Sequence, residues 1–94
     1  MLFAAICLDK PGSIDLRLAT RAAHLAFLEA NAPKVKLGGP FLDEADKPVG
    51  SLLILDCETE AIAKSLLDSD PYAKAGLFSR VELRPWRRVV GAEL

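Results

Sequence analysis

The sequence predicts an α+β fold in which a four-stranded antiparallel sheet carries two helices on one face. The chain has 94 residues, which suits one domain over residues 1–94. Apolar runs of strand length and stretches with helical spacing follow one another in the order strand, helix, strand, strand, helix, strand. Turn residues separate these segments, and no linker or internal repeat interrupts them. This order is the ferredoxin-like βαββαβ pattern.

The first strand and the first helix are the clearest elements. Residues 2–8 are continuously apolar and end at the turn cluster Asp9-Lys10-Pro11-Gly12. Ser13 or Asp15 can cap the helix that follows, which should end at Asn31-Ala32-Pro33. We expect its apolar stripe to be anchored in the core, with His24 off the centre of the stripe; the stripe consists of Ile14, Leu18, Ala22, Leu25 and Leu28.

The middle of the chain predicts a pair of neighbouring strands. Residues 34–37 alternate as a short, half-exposed strand does, and Gly38-Gly39-Pro40 should end that strand. Residues 41–49 contain Asp43, Glu44, Asp46 and Lys47 and read as a polar hairpin excursion. Gly50-Ser51 then opens an apolar third strand that runs to about Cys57.

The last third of the chain predicts one more helix and one more strand. Thr59 precedes apolar residues at helical spacing, and this helix should end around Ser69, before Asp70-Pro71. Residues 79–83 alternate between apolar and charged side chains, which predicts the fourth strand.

Composition excludes several classes of protein. Apolar residues make up 51% of the chain, charged residues 27%, and the formal net charge is -1, so neither a general nucleic-acid binder nor a disordered tail is expected.

The opening apolar run is too short for a signal peptide or a membrane span, so we expect a cytoplasmic protein with no membrane partner. Cys7 and Cys57 lie within apolar runs and should be free, packed thiols. With one histidine and two separated cysteines, we expect no metal site and no cofactor.

Strands one and three have apolar residues at consecutive positions, which predicts burial on both faces of the sheet. Two helices can cover only one face of a sheet this small. A second copy that places its own sheet against the other face would cover both, so we expect a homodimer. The alternative is that long side chains and the C-terminal residues 86–94 fold across the uncovered face of the sheet in a monomer.

His24 and Asp70 are the candidate catalytic residues. His24 is the only histidine, and an imidazole beside a carboxylate is suited to proton transfer near neutral pH. Pro71 restricts Asp70 to extended conformations, which would present its carboxylate at a defined angle. A structural alternative remains for each residue, since His24 could be a paired helix histidine and Asp70 could cap or end a helix.

Three more residues could contribute to binding. Arg17 and Arg21 are four residues apart on one helix face and could attract an anionic ligand beside His24. Alternatively they are solvated charges, paired with Asp15 or Glu29. The phenol of Tyr72 could act as a hydrogen-bond donor, or its ring could serve in packing.

Several segments together resemble the YciI-like (YCII-related) family, over Leu2 to Val90. They are Arg17 to Leu25, Gly39-Pro40, Gly50-Ser51, Asp70-Pro71-Tyr72 with Ala75-Gly76, and Arg84-Pro85-Trp86. The resemblance implies a dimeric α/β barrel of ferredoxin-like subunits, with an active site of one His and one Asp that match His24 and Asp70. We expect the binding residues to be Arg17, Arg21, Gly39, Ser51 and Tyr72. The family often has Pro two positions before the His, where this chain has Ala22.

Three classes of function follow from these residues. The first is a cofactor-independent lyase, isomerase or hydrolase that uses the His-Asp pair on a small, anionic or aromatic metabolite. One branch of the family has dehydrochlorinase activity, but nothing in this sequence selects a chlorinated substrate. The second is a small-molecule binding module without turnover, and the third is an interaction domain with a vestigial pocket.

Overall fold

The computed structural model describes residues 1–94 and contains four strands and three helices. The strands are β1 (Leu2–Asp9), β2 (Val35–Leu42), β3 (Pro48–Asp56) and β4 (Phe78–Trp86). The helices are α1 (Ile14–Ala30), α2 (Glu60–Asp68) and the short α3 (Pro71–Lys74). The strands form one sheet in the order β2-β3-β1-β4, and every neighbouring pair is antiparallel. The predicted ferredoxin-like fold is therefore confirmed, with α3 as an element that the sequence pattern did not indicate.

The core lies between the sheet and α2. It is a cluster of eight buried residues, with β1, β3 and α2 contributing most of them: Phe3, Ala5, Cys7, Leu53, Leu55, Cys57, Ala63 and Leu67. Thr59 begins α2 as predicted, because its hydroxyl oxygen accepts a hydrogen bond from the Ile62 amide at 3.2 Å. Cys7 and Cys57 are free thiols, as expected.

The opposite face of the sheet has no helix over it. Burial alternates along β1, where every second residue is in the core and the residues between them are half-buried or exposed. This uncovered face, which we call the open face, has an apolar centre made of Leu2, Ala4, Ile6, Leu52 and Ile54. The tail after β4 does not cover this face, because Val89 and Val90 are 83% and 85% exposed. Folding of the tail across the sheet, the alternative to a dimer, is not what the structure shows.

The predicted end of β2 is wrong. The strand continues through Gly38, Gly39 and Pro40 to Leu42. β2 is an edge strand, which is the position in a sheet where proline is tolerated. The predicted excursion of residues 41–49 shortens accordingly to a turn of residues 43–47, in which the Asp43 carboxylate accepts from the amides of Ala45 and Lys47. The fourth strand is also longer than predicted, at both ends.

The prediction for the buried side of α1 is wrong as well. Leu18 and Leu25 of the apolar stripe are 53% and 50% exposed, whereas Arg17 and His24 are the buried residues of this helix. Polar side chains can replace leucines beneath a helix only when each has a hydrogen-bond partner, and both Arg17 and His24 have one, as described below.

No helix in the structure is long and apolar enough to cross a membrane.

We predict that Gly50→Ala destabilises the fold and that Gly39→Ala does not. A Cβ atom on Gly50 would lie 2.6 Å from the Cys7 carbonyl oxygen, which belongs to the backbone of β1. The clash should lower the free energy of unfolding by about 1–3 kcal/mol, measured by urea denaturation. A Cβ on Gly39 would meet no atom within 4 Å, so that variant should stay within about 0.5 kcal/mol of the wild type. Equal stabilities for the two variants would contradict the observed strand packing.

Candidate active site

A cavity of about 350 Å³ lies between α1 and the ends of β2 and β3. Most of the residues proposed from the sequence line it, namely Arg17, Arg21, His24, Gly39, Ser51 and Tyr72. Asp70 is behind this wall, where it contacts His24. The fold thus brings together residues that are up to 55 positions apart in the chain.

His24 and Asp70 form a buried hydrogen-bonded pair. The distance from His24 Nδ1 to Asp70 Oδ1 is 2.8 Å, and the two residues are only 6% and 2% exposed. A carboxylate can only accept, so Nδ1 carries the proton in this pair, and in the neutral imidazole Nε2 is the nitrogen with the free lone pair. Nε2 makes no hydrogen bond within the chain. It is therefore the ring nitrogen that remains for a ligand in the cavity.

Asp70 has a second role in the local structure. Its φ and ψ angles of -62° and 130° are extended, as the following Pro71 favours, and it is the N-cap of α3. The same oxygen that binds His24 accepts a hydrogen bond from the Tyr72 amide at 2.9 Å. The capping alternative and the pairing with His24 are therefore compatible, although the capped helix is α3 and not α2.

Tyr72 forms the wall next to His24. The two rings are stacked, with centroids 3.9 Å apart and planes 17° from parallel, and Phe78 contacts Tyr72 edge-on. Arg17 places its guanidinium 4.6 Å from the centroid of the Tyr72 ring. Burial raises the pKa of Tyr72 above its ordinary value, an effect that the nearby positive charge of Arg17 opposes. The phenol is therefore protonated at neutral pH and able to donate a hydrogen bond.

Arg17 is paired, and its partner is not one that the sequence suggested. Arg17 Nε and Nη2 donate to the two carboxylate oxygens of Asp9 at 2.7 and 3.0 Å. Asp15 and Glu29, the proposed partners, make no ion pair with it. Burial disfavours the guanidinium, but the hydrogen bonds and charge of Asp9 outweigh this effect and raise the pKa of Arg17.

Asp9 is a site residue that the sequence pattern does not indicate. The pattern predicts it in the turn after the first strand, whereas the structure has it as the last residue of β1, beyond a shift in register with β4. The alternation of side chains along β1 places Asp9 on the core face, after Phe3, Ala5 and Cys7, and its side chain is only 5% exposed. A carboxylate directly after an apolar strand was the available signal, but its partner could not be known without the fold.

Arg21 remains without an ion pair. It is exposed, lines the cavity and makes no salt bridge within the chain. Arg21, rather than the neutralised Arg17, is therefore the cation that could attract an anionic ligand. The rest of the cavity is largely apolar, and its exposed leucines are Leu18, Leu25 and Leu42. No group of three or more His, Cys, Asp or Glu side chains is placed to hold a metal ion.

Known proteins resemble this chain in both sequence and fold. The model of the YCII-related domain matches residues 1–87. Protein YciI of Escherichia coli O6:H1 is 33% identical over 97 aligned positions, which cover 95% of this chain and 99% of the relative.

Two solved structures extend this comparison. A 5-chloro-2-hydroxyhydroquinone dehydrochlorinase from Burkholderia phenoliruptrix AC1100, in complex with 2,5-dihydroxybenzoquinone, is 36% identical. Its TM-score is 0.87, and the match covers 95% of this chain and 96% of that one. PA3566 from Pseudomonas aeruginosa has a TM-score of 0.56 at 15% identity, with coverage of 95% and 93%, and shares the fold alone.

We predict that Cys7 makes the stability of this protein decrease at alkaline pH. Burial is the main reason that the pKa of this thiol rises from 9.0 to about 12, and the negative charge of Asp70 adds to the effect. Above pH 9.0 the unfolded chain loses the Cys7 proton while the folded chain keeps it. The free energy of unfolding should therefore fall as pH rises, by at most about 1.4 kcal/mol per pH unit for this proton.

Urea denaturation of the wild type and of Cys7→Ala, at pH values on both sides of 9.0, measures this effect. The variant should be less stable at neutral pH because it leaves a small cavity, but its stability should decrease less steeply at alkaline pH. Parallel curves for the two proteins would show that Cys7 does not cause the decrease.

Proposed function

The chain belongs to the YCII-related domain family, and on that basis we propose that it is a small-molecule enzyme in which His24 transfers a proton. The observation that carries the proposal is the buried hydrogen bond between His24 and Asp70 on the wall of a cavity. We propose one domain over residues 1–94, because one core cluster joins β1, β3 and α2, and partly buried residues of β2 and β4 pack against it.

The geometry of His24 supports the role of a general base. Asp70 holds Nδ1–H, so Nε2 has its lone pair free, and the stacked ring of Tyr72 limits rotation of the imidazole. A base whose orientation is set in advance can take a proton from a bound ligand without rearrangement. Proton transfer of this kind is a step in eliminations, isomerisations and hydrolyses, and it requires only a base and a donor.

The cavity supports a small, planar, partly anionic ligand. Half of its fourteen lining residues are leucine or proline, and an apolar wall of this kind suits an aromatic or unsaturated ring. Arg21 adds one unpaired positive charge. The Burkholderia relative is a dehydrochlorinase of a hydroxylated aromatic compound, which supports a lyase-type reaction on a related ligand.

We further propose that a second copy of this chain covers the open face. This face has an apolar centre on β1 and β3, and charged side chains of β4 flank it: Arg80, Glu82 and Arg84. An apolar surface with a charged border is suited to a two-fold contact between identical sheets. The pocket lies on the helix side of the sheet, so each copy would retain its own site.

We predict that His24→Asn lowers turnover about 10²- to 10⁴-fold, the usual contribution of a general base. Asn can still donate to Asp70, so the fold should be retained while the base is removed. The first substrate to assay is 5-chloro-2-hydroxyhydroquinone, followed by other small hydroxylated aromatic compounds. Nitrogen-15 NMR of the imidazole should show the proton on Nδ1 in the wild type and a shift of the proton toward Nε2 in Asp70→Ala, which has no acceptor for Nδ1–H.

Two results would count against the proposed enzymatic function. Equal turnover by the wild type and His24→Asn would remove His24 from the mechanism. Ligand binding without consumption of any compound would favour a binding module instead. Thermal unfolding of each variant checks that a loss of turnover is not a loss of fold.

We predict a mass of twice 10.1 kDa in solution, measured by size-exclusion chromatography with light scattering. Ile6→Lys places a charge at the apolar centre of the open face and should give a monomer, because a buried unpaired charge is strongly unfavourable. The control is Leu16→Lys, which changes an exposed leucine on α1 and should leave the dimer intact. A wild-type species of 10.1 kDa at micromolar concentration would contradict the proposed dimer.

A further inference from the structure

Ser51 has an unusual position for a small polar residue. It is on β3, opposite Cys7 of β1 and Pro40 of β2, and it is only 4% exposed. It nevertheless lines the cavity that His24 and Tyr72 also line. A hydroxyl group in such a place needs hydrogen-bond partners, since burying it without them is costly.

Arg17 supplies one of these partners and thereby decides the direction of the bond. Arg17 Nη2 is 2.8 Å from Ser51 Oγ, and a guanidinium can only donate. Ser51 Oγ is therefore the acceptor, and its own hydrogen must point elsewhere. No protein atom accepts that hydrogen. The cavity is where an acceptor could be provided.

The contact with Arg17 also strengthens Ser51 as a donor. Asp9 holds the guanidinium through two hydrogen bonds, and the Tyr72 ring lies against its face, so Arg17 is fixed. A hydroxyl that accepts a bond from a cation is polarised and donates more strongly, because hydrogen bonds in a chain reinforce one another. Such a fixed donor favours negative charge on an oxygen atom in front of it.

We propose that Ser51, polarised by Arg17, donates a hydrogen bond to a ligand oxygen on which negative charge develops. The inference rests on the proposed function, because it assigns the counterpart of His24 in the same cavity. When His24 Nε2 takes a proton from the ligand, an N–H bond forms. The electron pair of a broken O–H bond stays on that oxygen, whereas the pair of a broken C–H bond is delocalised onto the oxygen of the conjugated carbonyl group. The Ser51 hydroxyl stabilises that oxygen, and no oxidant or reductant is required.

This assignment restricts the ligand to compounds whose anion, formed by loss of an acidic hydrogen, carries negative charge on an oxygen atom. Phenols, enols and carbonyl compounds with an adjacent C–H group have this property. Tyr72 is the competing donor, because its protonated phenol is near the same guanidinium. Arg21 is exposed and can attract such an anion, but water competes for its charge.

The test uses 4-nitrophenol as the probe, because its ionised form has a distinct absorbance. The pKa of the probe bound to the protein reports how strongly the site favours the anion over the neutral phenol. In the wild type the bound probe should ionise at lower pH than the free probe. Ser51→Ala should reduce the preference for the anion about 10- to 100-fold, the contribution of a hydrogen bond to a charged group. Ser51→Thr should keep the preference, since it keeps the hydroxyl, and so should Tyr72→Phe.

Three results would overturn the proposal. The first is that Ser51→Ala retains the preference for the anion. The second is that Ser51→Ala weakens the binding of the anion and of the neutral phenol equally, which is the result expected of a purely structural role. The third is that the wild type does not bind the probe or does not favour its anion. Thermal unfolding of each variant checks the fold.

The same titration in His24→Asn separates this inference from the proposed function. Without the imidazole, a preference for the anion that still depends on Ser51 supports the donor whatever His24 does in turnover. Loss of turnover in His24→Asn, together with an unchanged anion preference in Ser51→Ala, would leave the base in place and remove the donor.

Discussion

The site depends on one buried carboxylate, that of Asp70. A single oxygen of this side chain accepts hydrogen bonds from the His24 ring and from the Tyr72 amide. The first bond fixes a residue in the middle of α1, and the second begins α3, so the two elements are held against each other. The stacking of Tyr72 on His24 follows from this arrangement, because the His24 ring and the backbone amide of Tyr72 bind the same carboxylate oxygen. Without this acceptor, the imidazole would be a buried polar group with no partner, which is costly.

Carboxylate partners explain why polar side chains can replace leucines under α1. Arg17 is neutralised by Asp9, and His24 is hydrogen-bonded to Asp70, so each buried polar group on this helix has its own carboxylate partner. The apolar residues of the helix are consequently free to line the cavity, and Leu18 and Leu25 do so. A hydrophobic wall and two anchored polar groups are thus supplied by one helix. Such a combination is typical of ligand-binding cavities.

The fold was largely predictable from the sequence, and the errors in that prediction have local causes. The order of strands and helices follows from hydrophobic periodicity and turn residues, which depend on near neighbours in the chain. Gly38, Gly39 and Pro40 were misinterpreted as the end of β2 because their effect depends on whether a strand lies at the edge of the sheet. The stripe of α1 was misinterpreted because periodicity identifies apolar residues but does not distinguish a core from a cavity wall.

The sequence by itself determined the type of each main element, the fold class, and the choice of His24 and Asp70 as the residues to consider. Only the tertiary structure decided that these two residues are in contact, that Asp9 rather than Asp15 or Glu29 binds Arg17, and that the Ser51 hydroxyl has a donor but no acceptor. The reason is physical. Secondary structure reflects interactions over a few residues, whereas a hydrogen bond between residues 46 or 34 positions apart forms only after the sheet and helices have packed.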